Sequence, residues 1–372
     1  MIILGIETSC DETAAAVVKD GREILSNVVV SQIDIFAEYG GVIPEVAARS
    51  HLEAMMPVVD KALKDANCTW DDIDAIAVTH APGLLGSLLI GTLTARTLAI
   101  LHDKPLYAVH HLKSHIYANW LSGQNPEFPL IALVISGGHT QILYMPAHNE
   151  FEIIGTTHDD AVGECFDKVA KILGLPYPGG PSIANAAKTG NPNKYKLPHP
   201  KVENLDFSFS GLKTAVLRAV QKELNLPISH PSHDLKNHLT KQQISDFAAS
   251  FQKTAVDILC EKLKLAKNQH PEAKSLVLAG GVSANESLRE MVTLRFGAFR
   301  SAAARELAPS AHGDGPDGRG HKRNITISYP APHLSGDNGA MVAAAAYYEA
   351  QSGVLPTDPY SLNIYPRISI EN

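Results

Sequence analysis

The pattern of apolar and polar positions along the chain predicts an α/β protein. Short apolar runs bounded by polar turns are typical of strands, and apolar residues three or four positions apart are typical of helices. The first third of the chain contains both patterns. It predicts strands over Ile2–Ile6, Ala14–Val18, Ile24–Ser31, Ile73–Thr79 and Leu106–Val109, and helices over Pro44–Leu63, Ser87–Leu101 and His111–Leu121. The helix over Pro44–Leu63 is expected to bury Val46, Ala47, Leu52, Met55, Met56 and Val59.

The same order of elements begins again near the middle of the chain. Leu130–Ile135, a polar turn and Gln141–Tyr144 repeat the first strand, turn and strand. Later, Ser275–Ala279, two glycines and a helix after Val282 repeat the earlier strand, glycine turn and helix. We therefore predict two copies of one unit. Residues 159–268 are interpreted as a helical insertion in the second copy, and the Gly- and Pro-rich second half of 302–323 as a surface loop.

Composition and charge exclude several classes of protein. The chain has 372 residues, with 32 Lys and Arg against 39 Asp and Glu, so it does not coat nucleic acid with uniform positive charge, although a local basic groove remains possible. Its four cysteines form no Cys-x-x-Cys pair, which argues against a zinc knuckle. The most apolar long window, Gly83–Leu101, contains Arg96 and several hydroxyls, so we interpret it as a buried helix rather than a membrane span. We expect a cytoplasmic protein.

The segment HHLKSH contains a candidate metal-binding pair. His111 and His115 are four residues apart, so on a helix they share one face and can bind one transition metal. A zinc protease of the H-E-x-x-H type needs Glu after the first His, and Leu112 stands there. Peptide hydrolysis by that mechanism is therefore disfavoured. The alternative is two histidines on a helix surface.

Asp337 is a candidate third ligand. It lies in the segment SGDNGA, directly before an alanine-rich helix, where an Asp often only caps the helix. Beside two histidines it would instead complete a set of two His and one carboxylate with open coordination positions.

Two glycine-containing turns are candidate binding sites for phosphate or carbonyl oxygens. Ser136, Gly137 and Gly138 follow a strand, where small residues let backbone N–H groups approach a ligand, but an ordinary hairpin turn is the alternative. The segment AGGVSAN places Asn285 after a strand and a glycine turn, in position to contact a nucleotide or to cap a helix. No Walker motif is present, so a P-loop enzyme is disfavoured.

Two further segments combine charge with a turn. GIETSCDET clusters Glu7, Asp11 and Glu12, which could orient a metal and phosphate or act as a base, or could be a solvated hairpin loop. DFSFSGLKT places Lys213 after a small-residue break, where it could face RNA or phosphate. The alternative for that segment is a helix capped by Ser210.

These motifs occur together in an order that resembles a known family. GIETSCDET, PEVAARSH, HHLKSH, SGGHTQ, GECFDKVAKILGL, YPGGP, FSFSGLKT, AGGVSAN and DNGAM follow one another from Ile2 to about Arg367. They resemble the catalytic subunit of bacterial tRNA threonylcarbamoyladenosine synthases, once described as O-sialoglycoprotein endopeptidases. The resemblance implies the acetate and sugar kinase, chaperone and actin fold, an α/β fold with two ribonuclease-H-like domains around a central cleft. The first domain would comprise 1–128 with the C-terminal helix and tail, about 345–372, and the second 129–344.

The resemblance also implies an activity and its machinery. The threonylcarbamoyl group of threonylcarbamoyl-AMP would pass to the exocyclic amine of the adenosine 3′ of the anticodon, in tRNAs that read codons beginning with A. It implies one divalent metal, usually Fe²⁺ with Zn²⁺ as the alternative, and as partners a paralogous non-catalytic subunit and a small P-loop ATPase. The implied metal ligands are His111, His115 and Asp337, and the implied substrate contacts are Val134, Ile135, Ser136, Gly137, Gly138, Asp167, Gly180 and Asn285.

The proton acceptor and one substrate contact stay open. Asp11 and Glu12 are the candidates for accepting the amine proton. Ala184 stands where many members carry a substrate-contacting Asp, with Asn185 next to it, so one contact is lost or replaced. The alternative functions are an ATPase or small-molecule kinase of the same fold, and a non-catalytic paralogue, which should lack the three metal ligands.

Overall fold

A five-stranded mixed sheet forms the first half of the protein. The computed structural model describes residues 1–200, 202–297 and 325–371. The sheet has the order β3-β2-β1-β4-β5, with β1, β2 and β3 antiparallel and β4 and β5 parallel to β1. Its strands are β1 (Ile2–Glu7), β2 (Glu12–Lys19), β3 (Glu23–Ser31), β4 (Ala75–Ala81) and β5 (Leu106–His110).

A second five-stranded sheet repeats this topology. Its order is β8-β7-β6-β9-β10, again with three antiparallel strands followed by two strands parallel to the first. The strands are β6 (Leu130–Ile135), β7 (Thr140–Met145), β8 (Glu152–Thr156), β9 (Ser275–Ala279) and β10 (Thr326–Ser328). The prediction of two copies of one α/β unit is thus confirmed.

Helices cover both sheets, and the three predicted over Pro44–Leu63, Ser87–Leu101 and His111–Leu121 begin and end within two residues of those limits. None of the helices in the described ranges is both long and apolar enough to cross a membrane. They are α1 (Ile33–Tyr39), α2 (Pro44–Asp65), α3 (Leu85–Leu101), α4 (His111–Leu121), α5 (Val162–Leu173), α6 (Gly179–Ala187), α7 (Ser210–Glu223), α8 (Lys241–Gln269), α9 (Glu286–Phe296) and α10 (Gly339–Gln351).

The predicted buried stripe of α2 is wrong in part. Leu52 is 68% exposed and Met56 is also exposed, whereas His51 is fully buried. The buried row follows Ala47, His51 and Met55, which are four residues apart. A histidine can occupy this row because both its ring nitrogens have partners: Nδ1 lies 2.8 Å from the Thr13 hydroxyl, and Nε2 lies 3.0 Å from a backbone carbonyl of the loop after β1.

The insertion between β8 and β9 is helical, as predicted, but its capping differs from the expectation. Helix α7 is not capped by Ser210. The carboxylate of Asp159 accepts hydrogen bonds from the Phe209 N–H, at 2.8 Å, and from the Ser208 and Ser210 hydroxyls. A residue distant in sequence therefore caps this helix. Lys213 lies in its first turn and is half-buried. The loop predicted over 302–323 lies outside the described residues.

Helices α4 and α10 lie between the two sheets. Side chains from both helices and from both sheets form one apolar core, which includes Ile3, Tyr117, Val134 and Met341. Helix α10 crosses β1 closely: a Cβ added to Gly5 would lie 2.2 Å from the Gly339 carbonyl oxygen. This crossing holds the N-terminal end of α10 against the first sheet.

Candidate metal centre and cleft

The three predicted metal ligands lie at the N-terminal ends of the two central helices. His111 begins α4, directly after β5, and His115 lies one turn further along the same helix. Asp337 precedes α10, whose cap is the neighbouring Asn338: its side chain accepts the Met341 N–H at 3.0 Å. Because Asn338 caps the helix, the carboxylate of Asp337 is free to face the histidines.

The donor atoms of this trio converge. Asp337 Oδ1 lies 3.6 Å from His111 Nε2 and 3.1 Å from His115 Nε2, and one donor atom from each residue lies within 4.8 Å of the others. His115 is 1% exposed, and neither of its ring nitrogens has a partner with hydrogen-bond geometry among the described residues. Unpaired buried nitrogens are costly unless a ligand satisfies them. The trio therefore fits a bound metal ion, and the alternative of two surface histidines is excluded.

Glu7, the last residue of β1, orients His111 from the opposite side. Glu7 Oε2 lies 3.3 Å from His111 Nδ1, and the Ser9 hydroxyl lies 3.2 Å from the same nitrogen. Glu7 is fully buried and accepts hydrogen bonds from the Thr79 hydroxyl and the Ser9 N–H. A carboxylate on the outer nitrogen of a metal-binding histidine fixes the ring and its tautomer. The sequence placed Glu7 only in an acidic cluster that could orient a metal and phosphate or act as a base, and did not predict its contact with a histidine.

The charges of the centre stabilise one another. Burial opposes charge on His111, but Asp337 and Glu7 outweigh it and raise the pKa of His111 to about 9. Burial likewise opposes charge on Asp337, but His111 and His115 lower the pKa of Asp337 to about 2. His139 lies near the same groups. Burial, with the nearby His111 and His115, lowers its pKa to about 4. In the absence of a metal, the positive charge of His111 balances the carboxylates of Asp337 and Glu7. A bound cation can take the place of the His111 proton in this network.

The turn after β6 presents open backbone to the cleft. Gly137 and Gly138 are exposed, a Cβ on either would meet nothing within 4 Å, and neither N–H donates within the part of the chain described. Ser136, at the start of the turn, bonds through its hydroxyl to the His139 N–H at 3.1 Å. Val134 and Ile135 are fully buried, main chain included, and pair with β7, so they present no atom to the cleft.

One cavity is lined by residues of both halves, including Tyr39 of the first half and Asp167 and Tyr177 of the second. Asp11 is largely buried at the edge of the first half, and its charge acts on Asp167 and Tyr177 of the second half. Burial, with the nearby Asp337 and Asp11, raises the pKa of Glu12 to about 10, and Glu12 also accepts a hydrogen bond from Ser31. Burial raises the pKa of Asp167 as well. The two halves thus contribute opposing walls to one acidic cleft.

The start of α6 brings Gly180 to this wall. Asp167 Oδ1 accepts the Gly179 N–H at 2.6 Å, and a Cβ on Gly179 would lie 2.5 Å from Asp167 Cα. Only glycine allows this approach, whereas Gly180 faces open space. Ala184 and Asn185 lie further along α6, with Asn185 exposed.

Asn285 has a structural role in addition to any role in binding. Its Oδ1 accepts the Leu288 N–H at 3.1 Å and so caps α9, while its Nδ2 donates to Gln252 at 2.9 Å. The glycine turn before it is tight, because a Cβ on Gly280 would lie 2.5 Å from the Ile135 carbonyl oxygen. The helix-cap interpretation of Asn285 is therefore confirmed.

The family model and the relatives that match this sequence all have the same description. A family model described as tRNA N6-adenosine threonylcarbamoyltransferase matches residues 23–344. A protein of that name from Symbiobacterium thermophilum is 48% identical over 354 residues, covering 95% of this chain and 93% of its own. Another from Thermomicrobium roseum is 46% identical over 368 residues, with the same coverages of 95% and 93%. A third from Bacillus thuringiensis is 45% identical over 373 residues, covering 100% and 97%.

Structural comparison supports the fold. T. kodakarensis HypF aligns with 97% of this chain and 49% of its own, with a TM-score of 0.54 and 14% sequence identity. At this identity the likeness concerns the fold alone. Together with the repeated strand order, it agrees with two ribonuclease-H-like halves around a cleft.

Proposed function

The chain belongs to the tRNA N6-adenosine threonylcarbamoyltransferase family, and we propose that it transfers the threonylcarbamoyl group from threonylcarbamoyl-AMP to the exocyclic amine of an adenosine in tRNA. The acceptor is the adenosine 3′ of the anticodon in tRNAs that read codons beginning with A. The observation that carries this proposal is the convergence of His111, His115 and Asp337 between the two halves of a fold that belongs to this family.

The reaction needs positioning rather than a covalent nucleophile. Threonylcarbamoyl-AMP is a mixed anhydride, so its carbonyl carbon is already activated. The adenosine nitrogen forms a bond to that carbon, the bond from the carbon to the phosphate oxygen breaks, and AMP leaves with the electron pair. The nitrogen loses a proton to a base. Catalysis then depends on alignment and on stabilising charge at the carbonyl and the departing phosphate.

We propose that His111, His115 and Asp337 hold one divalent metal. Two imidazoles and one carboxylate with open positions are a donor set that suits Fe²⁺, with Zn²⁺ as the alternative. When bound, such an ion acts as a Lewis acid toward carbonyl or phosphate oxygens. Glu7 keeps the His111 ring in place through the 3.3 Å contact to Nδ1.

The remaining walls of the cleft are proposed to hold the substrate. The Gly137 and Gly138 N–H groups are open to the cleft and suit a carbonyl or phosphate oxygen. Ser136 lies beside them at the start of the turn, and the buried Val134 and Ile135 support the turn from β6. On the facing wall we propose contacts from Asp167 and Gly180, and a further contact from Asn285 to the adenosine portion.

We propose Asp11 as the proton acceptor, with Glu12 as the second candidate. The charge of Asp11 acts on both Asp167 and Tyr177 of the second half, whereas that of Glu12 acts on Tyr177 and its carboxylate accepts a hydrogen bond from Ser31 on β3. A carboxylate on the cleft side is the better placed of the two to reach the amine.

The division into domains and the partners are also part of the proposal. The first domain comprises 1–128 with the tail 345–372, and the second 129–344. Two backbone hydrogen bonds support this assignment of the tail, from the Thr357 N–H to the Leu106 carbonyl and from the Tyr365 N–H to the His80 carbonyl. The protein partners are the paralogous non-catalytic subunit and the small P-loop ATPase, in the cytoplasm. An apolar surface supports a protein partner, since exposed apolar patches mark such contacts. It consists of Leu52, Met56, Leu85, Leu89 and Leu93 on α2 and α3.

Nucleoside analysis of modified tRNA tests the activity. The purified chain is incubated with tRNA, synthetic threonylcarbamoyl-AMP and the two partner proteins, and threonylcarbamoyladenosine is measured after digestion. We expect product with the wild type and a loss of at least about 100-fold with Asp337→Asn, because one metal ligand is weakened. The matched control is His158→Ala, which removes a more exposed His–Asp pair 2.8 Å apart, and it should retain wild-type yield.

Two outcomes would contradict the proposal. Wild-type yield from Asp337→Asn would show that the trio does not serve the transfer. Turnover of ATP or a sugar without tRNA, with no modified nucleoside, would favour a kinase or ATPase of the same fold.

A further inference from the structure

A second cluster of metal-binding residue types lies on the segment that joins α7 to α8. His230 Nε2 and His238 Nε2 lie 2.9 and 3.0 Å from the same oxygen of Asp234, Oδ2. One donor atom from each residue lies within 4.8 Å of the others. The other oxygen, Oδ1, accepts a hydrogen bond from Asn237 at 2.9 Å. Two imidazoles thus converge on one carboxylate that is held in orientation by an amide.

We propose that His230, Asp234 and His238 form a second site, for a divalent metal of the zinc class. Ligands about 2.0–2.2 Å from one ion are roughly 3.3–3.6 Å apart in tetrahedral geometry, so the two His–Asp separations of 2.9 and 3.0 Å need to widen by only about 0.5 Å to admit an ion. Two imidazoles and one carboxylate favour zinc and its neighbours over magnesium, which prefers oxygen ligands. His230 and Asp234 are half-buried and His238 is exposed, so water can complete the coordination.

The site shares no residue or element with the centre between α4 and α10. Its ligands come from one stretch of the insertion, around a short 3₁₀ turn, Leu235–Asn237, whose first residue is fully buried. Gln221 of α7 donates to the carbonyls of Ile228 and His230, which fixes the start of the stretch. The fold therefore holds the ligands near one another before any ion arrives.

An ion here would also fix one edge of the cleft. Lys236 lies within the turn that the ligands enclose, and its Cβ lies close to Gly174 at the end of α5: a Cβ on Gly174 would be 2.6 Å away. Lys236 lines a cavity of about 290 Å³ that Tyr39 of the first half, and Asp167 and Tyr177 of the second half, also line. Metal binding to the turn would hold Lys236 at this junction of the two halves.

Metal titration of the full chain tests the proposal. The background is His115→Ala, which disables the first centre so that one site remains to be counted. We expect calorimetry to show one Zn²⁺ per chain, Co²⁺ to give visible absorption bands, and Mg²⁺ to give no binding. Adding His238→Ala should lower the Zn²⁺ affinity at least about tenfold. Removing a residue that only hydrogen-bonds a metal ligand already lowers affinity by about 10–100-fold, and removing the ligand itself should lower it no less.

The matched control is His233→Ala. This histidine is exposed and lies in the same stretch, but outside the cluster. It should leave Zn²⁺ affinity unchanged. Asp234→Asn is the second ligand variant, and a cooperative melt of each variant checks folding. Equal Zn²⁺ affinity in the His238→Ala, Asp234→Asn and His233→Ala chains would overturn the proposal and leave a hydrogen-bonded cluster only. Failure of tRNA modification would not bear on this result, because the titration measures binding alone.

Discussion

Glu7 Oε2 lies 3.3 Å from His111 Nδ1, and this contact joins the end of β1 to the first residue of α4. Because Glu7 accepts at Nδ1, the neutral ring carries its proton there and its Nε2 lone pair faces Asp337 and His115. A buried carboxylate thereby selects the nitrogen of His111 that can bind a metal. This contact with His111 also accounts for a charged residue, Glu7, at the buried end of β1.

We predict that Glu7→Gln weakens metal binding by about 10–100-fold, the usual effect of losing an outer partner of a ligand histidine. The amide has nearly the same size but lacks the negative charge that holds the Nδ1 proton. Calorimetric titration with Zn²⁺ or anaerobic Fe²⁺ measures the change. Glu53→Gln, at an exposed position of α2, is the control and should bind as the wild type does. Unchanged affinity in Glu7→Gln would remove Glu7 from the metal centre.

We predict that Gly5→Ala destabilises the protein by about 3 kcal/mol or more, at the upper end for overpacked cores. The added methyl would meet backbone atoms of α10, the Gly339 oxygen at 2.2 Å and the Ala343 nitrogen at 2.7 Å, and neither can rotate away. Denaturant unfolding measures the change. The control is Gly211→Ala, on α7. A Cβ there would have no atom within 4 Å, so this substitution should be neutral or stabilise the protein by up to about 1 kcal/mol. A Gly5→Ala protein of wild-type stability would contradict the close crossing.

Eight of the ten described strands were predicted, because they combine an apolar run with a turn, a local property, whereas β8 and β10 were missed. The buried face of α2 was not fully predicted. Leu52 is more apolar than His51, but His51 is the residue that finds Thr13 and a backbone carbonyl inside the protein. Those partners come from the first β-hairpin and the loop within it, so the sequence of the helix alone cannot reveal them.

In the candidate site, too, local features were predicted and features that depend on tertiary packing were not. The spacing of His111 and His115 predicts a shared helix face, a local argument, whereas Asp337 joins them only through the packing of α10 against β1 and α4. The contact of Glu7 with His111 and the place of His139 near the trio were not predicted, because both depend on which strand ends meet. Asp159 caps α7 from across a connection, where local rules suggested Ser210.

Asn285 allows its structural and binding roles to be separated. Asn285→Ala should lower the free energy of unfolding by about 1 kcal/mol, because the Leu288 N–H loses its acceptor. Asn285→Ser keeps a capping oxygen and should retain wild-type stability. If Asn285 contacts the adenosine portion, both variants should bind a non-hydrolysable threonylcarbamoyl-AMP analogue about 5–100-fold more weakly. Wild-type affinity in the serine variant would place the adenosine elsewhere.

Glu349 gives the protein a pH-dependent stability that is unrelated to the metal centre. It lies on α10, 6% exposed, and burial raises its pKa to about 7, with Lys113 opposing the shift. Tyr107 and Tyr117 also lie near it, and its charge helps to raise the pKa of each. The folded state therefore binds this proton more tightly than the unfolded state, whose carboxyl titrates near 4.5.

The sign of the effect follows from this difference. The stabilising contribution of protonated Glu349 is fully present below pH 4.5 and is lost as pH rises through about 7, so above that pH the buried charge destabilises the fold. Glu349→Gln stays neutral at every pH. We predict that it matches the wild type near pH 4.5 and exceeds it by about 3 kcal/mol at pH 8. Denaturant unfolding across this range measures the difference, with Glu290→Gln, at an exposed position of α9, as the control. A difference that does not grow between pH 4.5 and 8 would show that Glu349 is ionised in the fold at little cost.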